Sequence, residues 1–187
     1  MTVGPGPSPH ELTPDRIRAL LAELGARLAA RGIDATLYLV GGAAMALEFD
    51  ARRVTRDVDA VFDPSTTVRA EAEAMAAEHG LPRDWLNDGV RAWVPGEDRD
   101  AVRFEVPGLA VAVASARHLL AMKMAAFRPT DKADLRVLFG ELGITSADEA
   151  ADLALAVYGE HHAALPGRDE LVLEAESILA SMRRPPG

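Results

Sequence analysis

At 187 residues, the chain has room for one full domain or for a compact core with a helical appendage, and its net charge of −9 argues against coating nucleic acid nonspecifically. Hydrophobic residues make up 49%, enough to bury a core, and the lack of cysteine excludes disulfides, thiolate metal sites and a cysteine nucleophile. No span offers the ~18 uncharged apolar residues of a membrane helix, so a cytoplasmic protein with no membrane partner is expected.

Residues 1–12 read as a flexible tail, without the basic and then apolar pattern of a secretory signal. Thr13-Pro14-Asp15 is a strong helix start: a capping hydroxyl, proline at the first helical position and an acid facing the dipole. Ile17, Leu20, Leu21, Leu24 and Leu28 then recur at helical spacing until Gly32 ends the helix. Leu37 to Val40 is an apolar strand that Gly41-Gly42 stops abruptly, and Ala43 to Leu47 are residues at home in a helix. Strand, glycine turn and helix form a phosphate-binding arrangement, because glycine permits close backbone approach and free N–H groups open the helix. The plainer reading is a helix that merely begins after a tight turn.

The link from Glu48 to Arg56 carries Arg52, Arg53 and Arg56. These read either as solvated loop charges or as guanidinium groups matched to phosphate oxygens. A strand follows from Asp57, and side chains at i and i+2 of a strand share a face, so Asp57 and Asp59 project in parallel about 7 Å apart. Such hard oxygen ligands suit Mg2+ carrying a nucleotide's phosphates. The alternative is the polar edge of a strand that starts at a surface turn.

Thr66 to His79 is a helix with Val68, Ala72, Met75 and Ala76 on its apolar stripe, and His79 complements its C-terminal end. Trp85 and Trp93 stand among turn-forming residues, either as core or with one stacking on a base. Ala101 to Val106 alternates as a strand with Arg103 and Glu105 on one face; Pro107-Gly108 turns it into a second strand, Leu109 to Ala114. Ser115 caps a helix running to Phe127, whose apolar side Lys123 interrupts, and Thr130 is expected to cap another bearing Asp131 and Asp134 on one face. Ser146 to Glu149 is a capping box, with Ala151, Leu155 and Tyr158 following on an apolar face. His161-His162 reads as an exposed pair rather than a metal site, and Arg168 to Met182 as a last amphipathic helix. The expected fold class is α+β, with a core over 13–114 and a helical part over 115–187 packed on it.

The V-G-G-A turn (Val40 to Ala43) followed by D-V-D (Asp57 to Asp59) resembles the nucleotidyltransferase superfamily typified by the DNA polymerase beta palm. It departs at Ala43, where the family often has a serine whose hydroxyl meets phosphate. Lys123, Ala126, Arg128, Asp131, Asp134 and Leu135 resemble the K-x-x-A…R…D-x-x-D-L element of bacterial nucleotidyltransferase-like proteins related to abortive-infection type toxins. Together the resemblance spans roughly Leu37 to Ile144. It implies a small nucleotidyltransferase-type sheet flanked by helices and transfer of an NMP from an NTP to an acceptor hydroxyl. In that scheme phosphates lie over Gly41 and Gly42 beside Arg52 and Arg56, and Mg2+ is held by Asp57, Asp59 and a third carboxylate from a neighbouring strand. Glu105 is the choice for that third acid, with Asp98 and Asp100 competing; Lys123 and Asp131 join the catalytic group. The acceptor stays open between a tRNA or other RNA 3′ end, a protein and a small molecule such as an aminoglycoside. A toxin role would add an antitoxin protein as partner. The other class of reading is a noncatalytic nucleotide- or partner-binding protein on the same fold.

Overall fold

The computed structural model describes residues 11–159 and 162–183. The expected tail therefore falls outside the described residues except for its last two positions, and so does His161. The described residues divide into two compact units, one comprising 11–92 with Ala101–Val113 and the other Trp93–Asp100 with the chain from Ala114 onward.

The first unit is a mixed α/β layer. Its elements in order are α1 (Pro14–Ala30), β1 (Ala35–Leu39), α2 (Gly41–Glu48), β2 (Val58–Asp63), α3 (Ser65–His79), β3 (Leu86–Asn87), β4 (Val102–Val106) and β5 (Leu109–Val113). The five strands form one sheet in the order β3-β2-β1-β5-β4. β1 runs parallel to β5 and antiparallel to β2, β3 runs parallel to β2, and β4–β5 is an antiparallel hairpin.

Period-two alternation decides which face of this sheet is covered. Leu37, Leu39, Ala60, Phe62, Val111 and Val113 are all buried, beneath α1, α2 and α3. Ile17, Leu20, Leu21, Leu24 and Leu28 of α1 and Val68, Ala72, Met75 and Ala76 of α3 supply the opposing stripes. Each large apolar side chain buried this way contributes about 1.5–3 kcal/mol. Thr36, Asp63, Arg103, Glu105 and Ala110 stand on the opposite face and are exposed. Trp85 belongs to the core: it is fully buried and its indole N–H donates to the Ala72 carbonyl at 2.9 Å, which removes it as a base-stacking surface. Trp93, by contrast, is 58% exposed.

The start of α1 and the end of α3 follow their local signals. Thr13 Oγ1 accepts from the Arg16 amide at 3.3 Å, and Gly80 closes α3 in the left-handed region. His79 at that end lies 2.8 Å from the Glu23 carboxylate of α1, and Arg27 bonds both Glu23 and Glu78.

The second unit is helical: α4 (Ala116–Ala126), α5 (Lys132–Glu141), α6 (Ala147–Tyr158) and α7 (Arg168–Met182). On α6 the buried stripe is Ala147, Ala150, Ala151 and Ala154, small residues at helical spacing that let α4 and α7 approach closely. Of the expected apolar face, Ala151 is buried and Leu155 and Tyr158 are half-buried. The capping box forms as read, with the Ser146 hydroxyl accepting from the Glu149 amide and the Glu149 carboxylate accepting from the Ser146 amide, each at 3.2 Å. Thr130 does not cap α5. It lies inside a short 3-10 turn (Pro129–Asp131), because Asp131 bonds the Arg128 amide at 3.2 Å and closes the chain one turn earlier.

Asp98 explains why the loop Trp93–Asp100 belongs with these helices. Its carboxylate accepts from the Ser115 amide at 2.8 Å and stands 3.2 Å from His118 Nδ1, and all three residues are buried. An acid at the start of α4 is favourably placed against the helix dipole. Tyr158 ties down the other end of the loop by donating to the Trp93 carbonyl at 2.6 Å, and burial pushes its phenol up to about 12.

Candidate functional site

The polar groups of the first unit converge where β1 ends and β2 begins. The Val40 amide donates to the Asp59 carbonyl at 3.0 Å, which continues the β1–β2 ladder one residue past the strand and brings the glycine turn against the aspartates. Gly41 has φ of +62°, and a methyl there would stand 2.9 Å from Asp59 Oδ2. Gly42 has a different neighbour, since a methyl on it would meet Thr55 Oγ1 at 2.8 Å and lie 3.7 Å from Arg53 Nη2. Each glycine thus makes room for one oxygen of the site.

Thr55 is held from both sides. Its backbone forms an isolated bridge with Leu12, whose amide donates to the Thr55 carbonyl at 2.7 Å and whose carbonyl accepts from the Thr55 amide at 3.1 Å. Leu12 is fully buried ahead of α1, so the bridge is anchored in the core. The Thr55 hydroxyl donates to the Asp57 carbonyl at 3.1 Å and lies 3.4 Å from Asp57 Oδ1. Asp57 is exposed and Asp59 half-buried.

Gly41, Gly42, Asp57 and Asp59 are therefore brought together. Of the expected arginines, Arg53 reaches the turn, with Nη2 3.7 Å from the point a Gly42 methyl would occupy, and Arg52 and Arg56 are exposed. The backbone amide of Arg52 donates to Asp50 Oδ1 at 3.1 Å, and that of Arg53 to the Asp50 carbonyl at 2.9 Å. These two bonds fix the backbone of the turn that carries Arg53.

Glu105 does not join the aspartates. The register runs Asp63, Thr36, Ala110, Glu105 across β2, β1, β5 and β4, so Glu105 sits level with Asp63, four residues along β2 from Asp59 and three strands away. At strand spacings this separation is on the order of 20 Å, far beyond shared coordination of one ion. Glu105 instead lines a cavity of about 310 Å³ on the open sheet face with Tyr38, Val61 and Arg103. Asp98 is not a third ligand either, being committed to Ser115 and His118 in the second unit.

The residue in register with Asp59 on the neighbouring strand is Asn87. Its side-chain oxygen accepts from the Gly89 amide at 3.2 Å. Among the described residues no group of three or more His, Asp or Glu side chains is placed to hold a metal ion. β2 begins at Val58, so Asp57 stands just ahead of the strand and Asp59 on it. Two such carboxylates beside a glycine turn fit Mg2+ delivered with phosphates, since that ion is usually held by one or two carboxylates and completed by phosphate and water.

Lys123 and Asp131 lie in the second unit and form a cluster of their own with Asp134. Lys123 Nζ is 2.8 Å from Asp131 Oδ1 and 2.7 Å from Asp134 Oδ2, and the three side chains are 9%, 13% and 4% exposed. A buried ammonium interrupting an apolar helix side is thus neutralised by two carboxylates rather than snorkelling.

Sequence reading missed Thr55 and Asn87. Thr55 has a visible signal, because Thr55, Asp57 and Asp59 share strand parity. Asn87 has none, because only the β2–β3 register singles it out. Set against known proteins, the chain matches no family model, no curated protein and no solved structure.

Proposed function

We propose that the chain is a Mg2+-dependent nucleotidyltransferase that moves an NMP from an NTP to an acceptor hydroxyl. The observation that carries this reading is the convergence of the Gly41-Gly42 turn, Thr55, Asp57 and Asp59 at one end of the sheet. A turn with no side chains admits a polyphosphate against the backbone, and the carboxylates stand beside it. Asp57 and Asp59 would hold Mg2+, which when bound supplies charge neutralisation and orientation of the phosphates. Arg53 adds a guanidinium beside Gly42, suited to phosphate oxygens. The acceptor oxygen forms a bond to the α-phosphorus, the α–β anhydride bond breaks, pyrophosphate leaves with the electron pair, and the hydroxyl proton is released to solvent.

The test is incubation of the full chain with each α-labelled NTP, Mg2+ and total cellular RNA and protein. Label on RNA or protein that Asp57→Ala abolishes is the expected result and identifies the acceptor. Absence of label with every NTP overturns the enzymatic reading. A toxin role predicts growth arrest on expression that Asp57→Ala relieves, and equal arrest by the variant would sink it.

A second reading, binding of nucleotide without turnover, is favoured by one observation: the residue in register beside Asp59 is an amide, Asn87, and not a third acid. Mg2+-dependent NTP binding that Asp59→Ala removes, with no product from the native chain, selects this reading.

A further inference from the structure

We infer that Thr55 supplies the phosphate-facing hydroxyl of this site, in place of a side chain following the two glycines. The inference rests on the site being a triphosphate site.

Ala43 offers no hydroxyl, and its side chain is fully buried in the core. Thr55 lies against the same turn and is half-buried, with its Oγ1 2.8 Å from the point a Gly42 methyl would occupy. A side chain at 42 would displace that hydroxyl, so the second glycine and Thr55 form one device, just as Gly41 and Asp59 form another. The hydroxyl's present acceptors, the Asp57 carbonyl at 3.1 Å and Oδ1 at 3.4 Å, are weak by distance. A hydroxyl rotates to suit its acceptor, and a phosphate oxygen over Gly42 offers a charged and therefore stronger one. The Leu12 bridge fixes the Thr55 backbone from both sides, so this reorientation involves the side chain alone.

Thr55 is half-buried and bonded to Asp57, which leaves a competing explanation: it merely positions a metal ligand. Mg2+ separates the two. A hydroxyl that meets phosphate directly matters with or without Mg2+, whereas one acting through Asp57 matters only when the ion is bound.

The experiment is titration calorimetry of the full chain with each of the four NTPs, in Mg2+ and in EDTA, for the native chain, Thr55→Val, Thr55→Ser and Asp57→Ala. Thr55→Val is expected to weaken binding about tenfold in both conditions, Thr55→Ser to stay within about threefold of native, and Asp57→Ala to weaken binding only in Mg2+. A Thr55→Val loss confined to Mg2+, a Thr55→Ser variant as weak as Thr55→Val, or native affinity in Thr55→Val would each overturn the inference. Should Thr55→Val fail to fold, Thr55→Ala is read by the same criteria. A native chain that binds no NTP overturns the triphosphate reading itself, which distinguishes that failure from a failure of Thr55 alone.

Discussion

Gly41 and Asp59 stand so close that a single methyl group on the glycine would lie 2.9 Å from the carboxylate oxygen. Gly41 also has φ of +62°, a conformation that costs an L-residue roughly 1–2 kcal/mol. Gly41→Ala therefore strains the turn and displaces the acid together. We expect Mg2+-dependent NTP binding to fall at least about tenfold while the melting temperature drops by only a few degrees. Native affinity in this variant would show that the turn does not serve the site.

The sheet register separates the aspartate pair from Glu105. Asp59→Ala is expected to abolish Mn2+ binding, followed by the relaxation of water protons, in the presence of a nonhydrolysable NTP. Glu105→Ala is expected to leave it unchanged. Asn87→Asp places a third carboxylate in register with Asp59 and is expected to tighten Mn2+ binding severalfold. An effect of Glu105→Ala as large as that of Asp59→Ala would contradict the register.

The cluster of Lys123, Asp131 and Asp134 makes a prediction about stability. Lys123→Met leaves the buried Asp134 and the half-buried Asp131 without their cation, a change that costs about 3–5 kcal/mol. Adding Asp131→Asn and Asp134→Asn should recover much of that loss in urea denaturation. The triple variant then tests chemistry apart from folding, since transfer at the native rate would make Lys123 a structural residue only. A single Lys123→Met variant with native stability would contradict the pairing.

Glu174 on α7 gives the protein a pH-dependent stability. Burial first, and the Glu170 charge second, push its carboxyl from 4.5 up to about 7. Its Oε2 is buried without a hydrogen-bond partner among the described residues. The folded chain therefore holds this proton more tightly than the unfolded chain does. Its contribution is complete below pH 4.5 and is lost as the pH rises through about 7. Glu174→Gln should melt above the native chain at pH 8 and with it near pH 4, by scanning calorimetry. A constant offset across that range would refute the assignment.

Much of the fold was legible because its signals are local. Thr13, the Leu stripe of α1, the alternation of β1, β2 and β5, and the Ser146 capping box each report on neighbours within a turn or a strand. The Gly41-Gly42 turn and the aspartate pair were legible for the same reason. Thr130 failed because Asp131, one residue on, reached back to the Arg128 amide first, and two adjacent capping candidates cannot be ranked without their geometry. Glu105 failed for a different reason. Its strand, its face and its exposure were all read from the alternation, yet its height on the sheet depends on how the β4–β5 hairpin aligns with β1.

By itself the sequence determined the element types except β3, which it read as turn, the covered face of the sheet and the residues chemically able to bind phosphate and metal, because periodicity and local capping act over a few residues. Tertiary structure alone decided which of those residues meet. It set Gly42 against Thr55 and Arg53, put Asn87 beside Asp59 and sent Glu105 to the far end. Strand pairing is a long-range choice made by burial and backbone hydrogen bonding across distant segments, and a shift of register relocates a side chain without changing a letter of its local sequence.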